Sequence, residues 1–338
     1  MAKHTVNLEQ TLEAFRKENS FAENHNSKLI RAFRNKNDEF FTLYESIENE
    51  MEHWAESGAF RGREVMLPCD DINLFDGLIE GLKHSNFWVY FHKNFERLGL
   101  KSLRCTFLNN EGNTNIYEYR GGDDENFDVY TSYAVNSNGD FHDAVMWQEY
   151  QKSDLIITNP PFSQLKDFLT LLEGLKIDFL IIVPPTFMLL APALRNFKNN
   201  AWNLGYTNVA AEFFDARSME NNNLKISKGG PHCYWLTSLK LQKIVEPKKS
   251  KKPPVIAYDE FPDILNCDTY AIAKEQLYKN TKEQLYGVPI TSINQYDFRD
   301  LFEIVCCFSR CMCQDKAHMK KAVVNGKEKF GRLIVKAK

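Results

Sequence analysis

The sequence has no long hydrophobic run: Asp178-Phe-Leu-Ile-Ile-Val-Pro-Pro185 meets proline after five apolar residues, far short of the ~20 that a membrane span needs. The amino-terminal Met-Ala-Lys-His-Thr-Val-Asn lacks an apolar h-region, so no signal peptide is expected. Charge of one sign is not in excess either. The 42 basic and 45 acidic residues leave a formal net charge of -3, which excludes histone-like adhesion to nucleic acid but allows a local basic groove. The 8 cysteines show no regular spacing, so reduced thiols in a cytoplasmic chain are expected, not a disulfide scaffold. Cys306, Cys307, Cys311 and Cys313 contain no Cys-x-x-Cys hook and follow an apolar run, so buried thiols are expected there and no metal site. Repeats are lacking as well, since Lys-Glu-Gln-Leu-Tyr at 274–278 returns at 282–286 without the period of a structural repeat.

What is present is an ordinary folded chain, 43% hydrophobic and 26% charged over 338 residues, long enough for about two domains. Residues 1–60 read as an N-terminal helical segment, with Lys28, Arg31 and Arg34 along one helical face. From Glu64 short apolar runs alternate with amphipathic stretches: Val65–Pro68, a helical stretch through Phe95, Ser102–Leu108, Asp154–Thr158, Gln164–Lys176 and Asp178–Val183. Buried runs separated by helices predict an α/β fold with a mostly parallel sheet, assigned to a domain over 61–245. Residues 215–232 read as a surface loop and Cys233–Leu241 as a further strand, with His232 a loop residue beside its start. The connector Glu246–Pro254, with Lys248, Lys249, Lys251 and Lys252 preceded by Lys240 and Lys243, opens a smaller C-terminal extension over 246–338. Those lysines are either a phosphate-contacting strip or a solubilising linker.

The chemistry lies in Ser153-Asp-Leu-Ile-Ile-Thr-Asn-Pro-Pro-Phe-Ser163, where a strand delivers Asn159-Pro160-Pro161-Phe162 and a helix follows at once. The prolines fix a rigid extended turn, so the Asn159 side chain and the Pro160 carbonyl offer two acceptors to one NH2 group. Phe162 supplies an apolar face for a planar ring. Open α/β sheets bind ligands at this carboxyl edge. The tetrapeptide resembles motif IV of the amino-methyltransferases that use S-adenosylmethionine, in which two acceptors build up the lone pair of a poorly nucleophilic amine for attack on a sulfonium methyl. Upstream, Gly139-Asp140-Phe141 sits where such enzymes place a cofactor-binding turn, with Asp140 accepting from the cofactor's adenine amine and Phe141 stacking on its ring. Phe41-Thr42 matches the Phe-Thr segment that flanks the cofactor's methionine end. The usual glycine-rich loop is absent: the chain reads Pro68-Cys-Asp-Asp-Ile-Asn73, with no glycine until Gly77. Asp70 or Asp71 is then the candidate for the methionine ammonium, and Glu111 a weak substitute for the ribose-binding acid.

Together these pieces resemble the EcoRI-type adenine-specific DNA methyltransferases. The resemblance runs through Asp38–Thr42, Ile47–Glu50, Cys69–Asp71, Asn138–Phe141, Ser153–Ser163, Cys233–Thr237 and Gly287–Thr291, and that family also lacks the glycine-rich loop. It implies a class I, Rossmann-like fold and transfer of a methyl group from S-adenosylmethionine to N6 of adenine in double-stranded DNA, with the base flipped out. It further implies a cytoplasmic monomer, with or without a cognate restriction endonuclease. The region 205–232 departs from the family, so no recognition sequence carries over. An RNA base or protein glutamine methyltransferase would use the same Asn-Pro-Pro-Phe chemistry and stands as the alternative.

Overall fold

The computed structural model describes residues 40–74, 76, 83–109, 112–209, 212–215, 226–228, 233–241, 255–295, 297–308, 322–329 and 331–338. Lys28, Arg31, Arg34, Gly77, Glu111, His232, Lys243, Cys311, Cys313 and the lysines at 248–252 lie outside these residues. The chain divides into two compact units, Met1–Pro184 with Gly205–Thr237, and Pro185–Leu204 with Ser238–Lys338.

The first unit contains β1 (Phe40–Thr42), α1 (Tyr44–Glu56), β2 (Glu64–Leu67), α2 (Asn86–Lys93), α3 (Phe95–Leu98), β3 (Ser102–Cys105), β4 (Asn115–Tyr119) and β5 (Thr131–Ala134). It continues with α4 (Ala144–Tyr150), β6 (Leu155–Thr158), α5 (Leu165–Leu175) and β7 (Asp178–Val183), and ends on β9 (Glu212–Asp215), β10 (Ile226–Lys228) and β11 (Cys233–Thr237). With β8 (Asn203–Val209), an eight-stranded sheet runs β5-β4-β3-β2-β6-β7-β11-β8. Its centre, β3-β2-β6-β7, is parallel, while β4, β5 and β11 join antiparallel. β3 and β6 are buried at every residue, and β2 and β7 at all but the first. Burial on both faces explains why these strands read as unbroken apolar runs. By contrast β5, an edge strand, is exposed throughout.

The region 215–232, expected to be loop, holds a strand. β10 pairs antiparallel with β9, and β9 with β1, in a separate three-stranded sheet. Short polar strands of this kind carry little hydrophobic signal. Among the cysteines, Cys307 is a buried thiol as expected, but Cys306 is disulfide-bonded, contrary to the expectation of reduced thiols. No helix among the described residues is long and apolar enough to cross a membrane.

The second unit has α6 (Ala191–Lys198), α7 (Tyr270–Gln276), α8 (Phe298–Leu301) and a five-stranded sheet. The sheet order is β12 (Ile256–Tyr258), β13 (Phe261–Asn266), β14 (Leu285–Pro289), β18 (Arg332–Ala337) and β15 (Phe302–Cys307). β16 (Val323–Val324) and β17 (Lys327–Glu328) form a hairpin. Arg299 of α8 donates to Trp202 O at 2.7 Å and Asn203 Oδ1 at 2.9 Å, which fastens the 185–204 segment to this unit.

One buried carboxylate anchors the first unit. Glu50 of α1 is fully buried and accepts from the Trp54 indole at 2.7 Å, the amides of Tyr206 and Thr207 at 2.9 and 2.7 Å, and the Thr207 hydroxyl at 2.7 Å. Burial pushes the carboxyl up and the four donors hold it down. This close approach of helix and strand needs glycine at 205, because a Cβ there would lie 2.2 Å from Glu50 Oε1. Gly205→Ala should therefore lower the free energy of unfolding in urea by about 1–3 kcal/mol, the usual cost of overpacking; an unchanged midpoint would refute this role for Glu50.

Candidate active site

β2 sits between β3 and β6, and the chain leaves β2 toward one side of the sheet and β6 toward the other, so their carboxyl ends flank a topological switch point. The Thr158 hydroxyl, at the end of β6, donates to Pro68 O, at the end of β2, and locks the two ends together. The turn after β2 then turns back on β3, with Asp70 N donating to Thr106 O at 3.0 Å. Cys69 carries φ +61°, the left-handed conformation that a glycine would otherwise supply, and its side chain is exposed.

Asp70 is 7% exposed and accepts from Ser85 Oγ at 2.6 Å. Ser85 in turn caps α2, accepting from Trp88 N at 3.1 Å. Burial pushes the Asp70 carboxyl up to about 7; the Ser85 bond opposes this and the neighbouring Asp71 adds to it. Burial raises Asp71 too, against the Asn73 amide that bonds it at 2.9 Å. Among the described residues no cation pairs with either carboxylate.

On the β6 side, Asn159 Nδ2 donates to Thr42 Oγ1 at 3.3 Å, and the buried Thr42 accepts at its carbonyl from Asn86 Nδ2 at 2.8 Å. Sequence positions 117 apart thus meet, because β9 holds β1 in place. Phe41 is in that strand, opposite Phe214; its side chain lies outside the description. Pro160 is buried, and Pro161, extended at φ -61° and ψ 118°, starts the short 3-10 turn Phe162–Gln164 that leads into α5. Phe162 is half-buried.

Gly139, at φ +89°, is the other glycine the geometry demands, since a Cβ would lie 2.2 Å from Phe107 O just past β3. It seats Asp140, which is bonded to the ring of His142. Phe141 is 5% exposed; His142 stacks on its ring at 4.1 Å and Phe168 meets it edge-on at 5.2 Å. The structure thus brings Asn159 and Thr42 into contact, and puts Asp70, Asp71 and Asp140 at the same edge of the sheet. Ser85, Asn86, His142 and Asp167 were not singled out in sequence. A serine opening an amphipathic run and a histidine two residues past Asp140 were the available signals.

The chain matches the family described as adenine-specific methyltransferase EcoRI over residues 28–338. It belongs to that family. The match bears out the resemblance drawn from the motifs. The chain is 29% identical to the type II methyltransferase M.EcoRI of Escherichia coli, covering 94% of this chain and 98% of that one. It is 26% identical to M.MpnI of Mycoplasma pneumoniae, over 90% of this chain and 97% of the relative. No solved structure matches the chain significantly.

The raised Asp70 carboxyl has a measurable consequence. With its folded-state value near 7 and an ordinary value of 3.8, the fold incurs no penalty in acid. The penalty grows as pH rises through this window, and above pH 7 it reaches up to ~4 kcal/mol at 1.36 kcal/mol per unit. Asp70→Asn should melt higher than the parent at pH 8, with the gap closing toward pH 4; thermal scans showing the same gap at both pH values would contradict it.

Proposed function

We propose that this protein transfers a methyl group from S-adenosylmethionine to the exocyclic N6 of adenine in double-stranded DNA, acting on a base flipped out of the stack. The observation that carries this reading is the placement of Asn159 at the carboxyl end of β6, beside the switch point, with Nδ2 committed to Thr42. That bond sets the amide's rotation, and its acceptor end is then Oδ1. Asn159 Oδ1 and the Pro160 carbonyl accept from the two amine hydrogens of adenine, which builds up the nitrogen lone pair. Phe162 provides the ring face. Once the nitrogen carries the methyl and a positive charge, it is acidic enough to lose a proton to water, so no basic side chain is needed.

The residues fit the cofactor's charge. S-adenosylmethionine supplies an electrophilic methyl on a sulfonium and carries an ammonium, and the adjacent Asp70, buried, and Asp71, half-buried, form a site short of positive charge among the described residues. Asp140 is assigned to the adenine amine. Phe141, the apolar residue of the same turn, is assigned to the adenine ring. Strand order supports a class I fold, with antiparallel β11 between β7 and β8 and the parallel strands at the centre. The family and the relatives' type II names support DNA as substrate, and a cytoplasmic monomer, with or without a cognate endonuclease, is part of the same proposal.

Labelled S-adenosylmethionine offered with duplex DNA, single-stranded RNA and protein should mark adenines of the duplex. Asn159→Ala should lower transfer at least ~100-fold with an unchanged melting curve, and Thr42→Val about ten-fold, the worth of one hydrogen bond. Label in RNA or protein but not in duplex DNA would sink the proposal.

A further inference from the structure

The turn that bears Asp140 and the helix that follows Asn159-Pro160-Pro161-Phe162 are bridged by the polar side chain of His142. His142 Nδ1 lies 2.6 Å from Asp140 Oδ1, and its backbone amide donates to the same oxygen at 3.0 Å. Two donors on one oxygen set the rotation of that carboxylate. On the other side of the ring, Nε2 lies 3.3 Å from Oδ2 of Asp167, in the first turn of α5. The ring plane is fixed as well, stacked on Phe141 with an interplanar angle of 29°. Phe141 is itself held, its carbonyl accepting from the Trp147 indole at 2.6 Å and its ring meeting Phe168 of α5.

We propose that His142 is a positioning residue for the cofactor: it aims the Asp140 carboxylate and couples that carboxylate, through Asp167, to the helix behind the target-amine site. This rests on the reading above, in which Asp140 takes the cofactor's adenine amine. A histidine that merely fastened a loop would leave cofactor affinity alone once the fold was intact. One that aims Asp140 must affect binding first and turnover at saturation little, because Asp140 touches no reacting atom. The two ring nitrogens also have separable duties. Asparagine places an amide where Nδ1 stands, and glutamine where Nε2 stands.

Binding of S-adenosylmethionine to the full-length protein is measured by titration calorimetry, with kcat and KM on duplex DNA. His142→Ala should weaken binding at least about ten-fold, the worth of one charge-assisted hydrogen bond, with kcat at saturation within about three-fold. His142→Asn should restore most of the affinity and His142→Gln should not. If the alanine variant fails to fold, the asparagine and glutamine pair decides alone. An alanine variant that binds within two-fold of the parent, or a glutamine variant equal to the asparagine one, overturns the proposal. A parent protein that binds no S-adenosylmethionine overturns the underlying reading and this role with it, and is recognised by the parent titration.

Discussion

The constraint on which this site depends is the divergence of the chain at β2 and β6. Two parallel strands lie side by side, yet their connections run to opposite halves of the sheet, so neither following turn can fill the crevice at their carboxyl ends. The Thr158 hydroxyl on Pro68 O holds the two ends in register just where the ordinary ladder stops. Every residue assigned a chemical role lies one to four positions beyond such an end or is tied to one. Asp70 and Asp71 follow β2, Asn159 follows β6, and Thr42 is bonded to Asn159. Asp140 is seated by a glycine packed on the carbonyl of Phe107, just past β3.

Electrostatics at this edge works against the fold. Burial raises both the buried Asp70 and the half-buried Asp71, and the Asp71 charge raises Asp70 further, with no cation paired to either among the described residues, a pattern that clusters at functional sites. The opposing case in the same unit is Glu50, fully buried, whose four donors satisfy it from within. One carboxylate is satisfied within the fold; the other pair, on the proposed function, takes its counter-charge from the cofactor's ammonium. That contrast separates a functional acidic site from a structural one more sharply than burial alone.

Much of this was legible in the sequence for a physical reason. The central strands are buried on both faces, so they leave unbroken apolar runs, and Asn159-Pro160-Pro161-Phe162 falls directly after one of them. What escaped were features without a local signature. β10 is three residues of Ile-Ser-Lys that pair with β9. The edge hairpin of β4 and β5 has one face or both in water. Asn86, Ser85 and His142 act through partners distant in sequence or through ring geometry, and nothing in a single chain marks a serine as the bridge between a helix start and a buried aspartate. The disulfide at Cys306 ran against the expectation from cysteine spacing, which speaks to regular scaffolds and not to one bridge.

The missing glycine-rich loop now has a structural meaning. A glycine after the first strand does two things: it adopts a left-handed turn, and it lets backbone amides approach a ligand closely. Here Cys69 takes the left-handed turn at φ +61°, at a cost of roughly 1–2 kcal/mol for a residue with a Cβ, and its side chain is exposed. On the proposed function, recognition at this turn comes from side chains. The two that follow are carboxylates, one of them anchored by the cap of α2. The same helix start also holds Thr42 through Asn86, so α2 braces the acidic turn and the partner of Asn159 at once. In a backbone-binding loop the glycines alone would shape the site. In this one the shape is held by Ser85 and Asn86, the first two residues at the start of this helix.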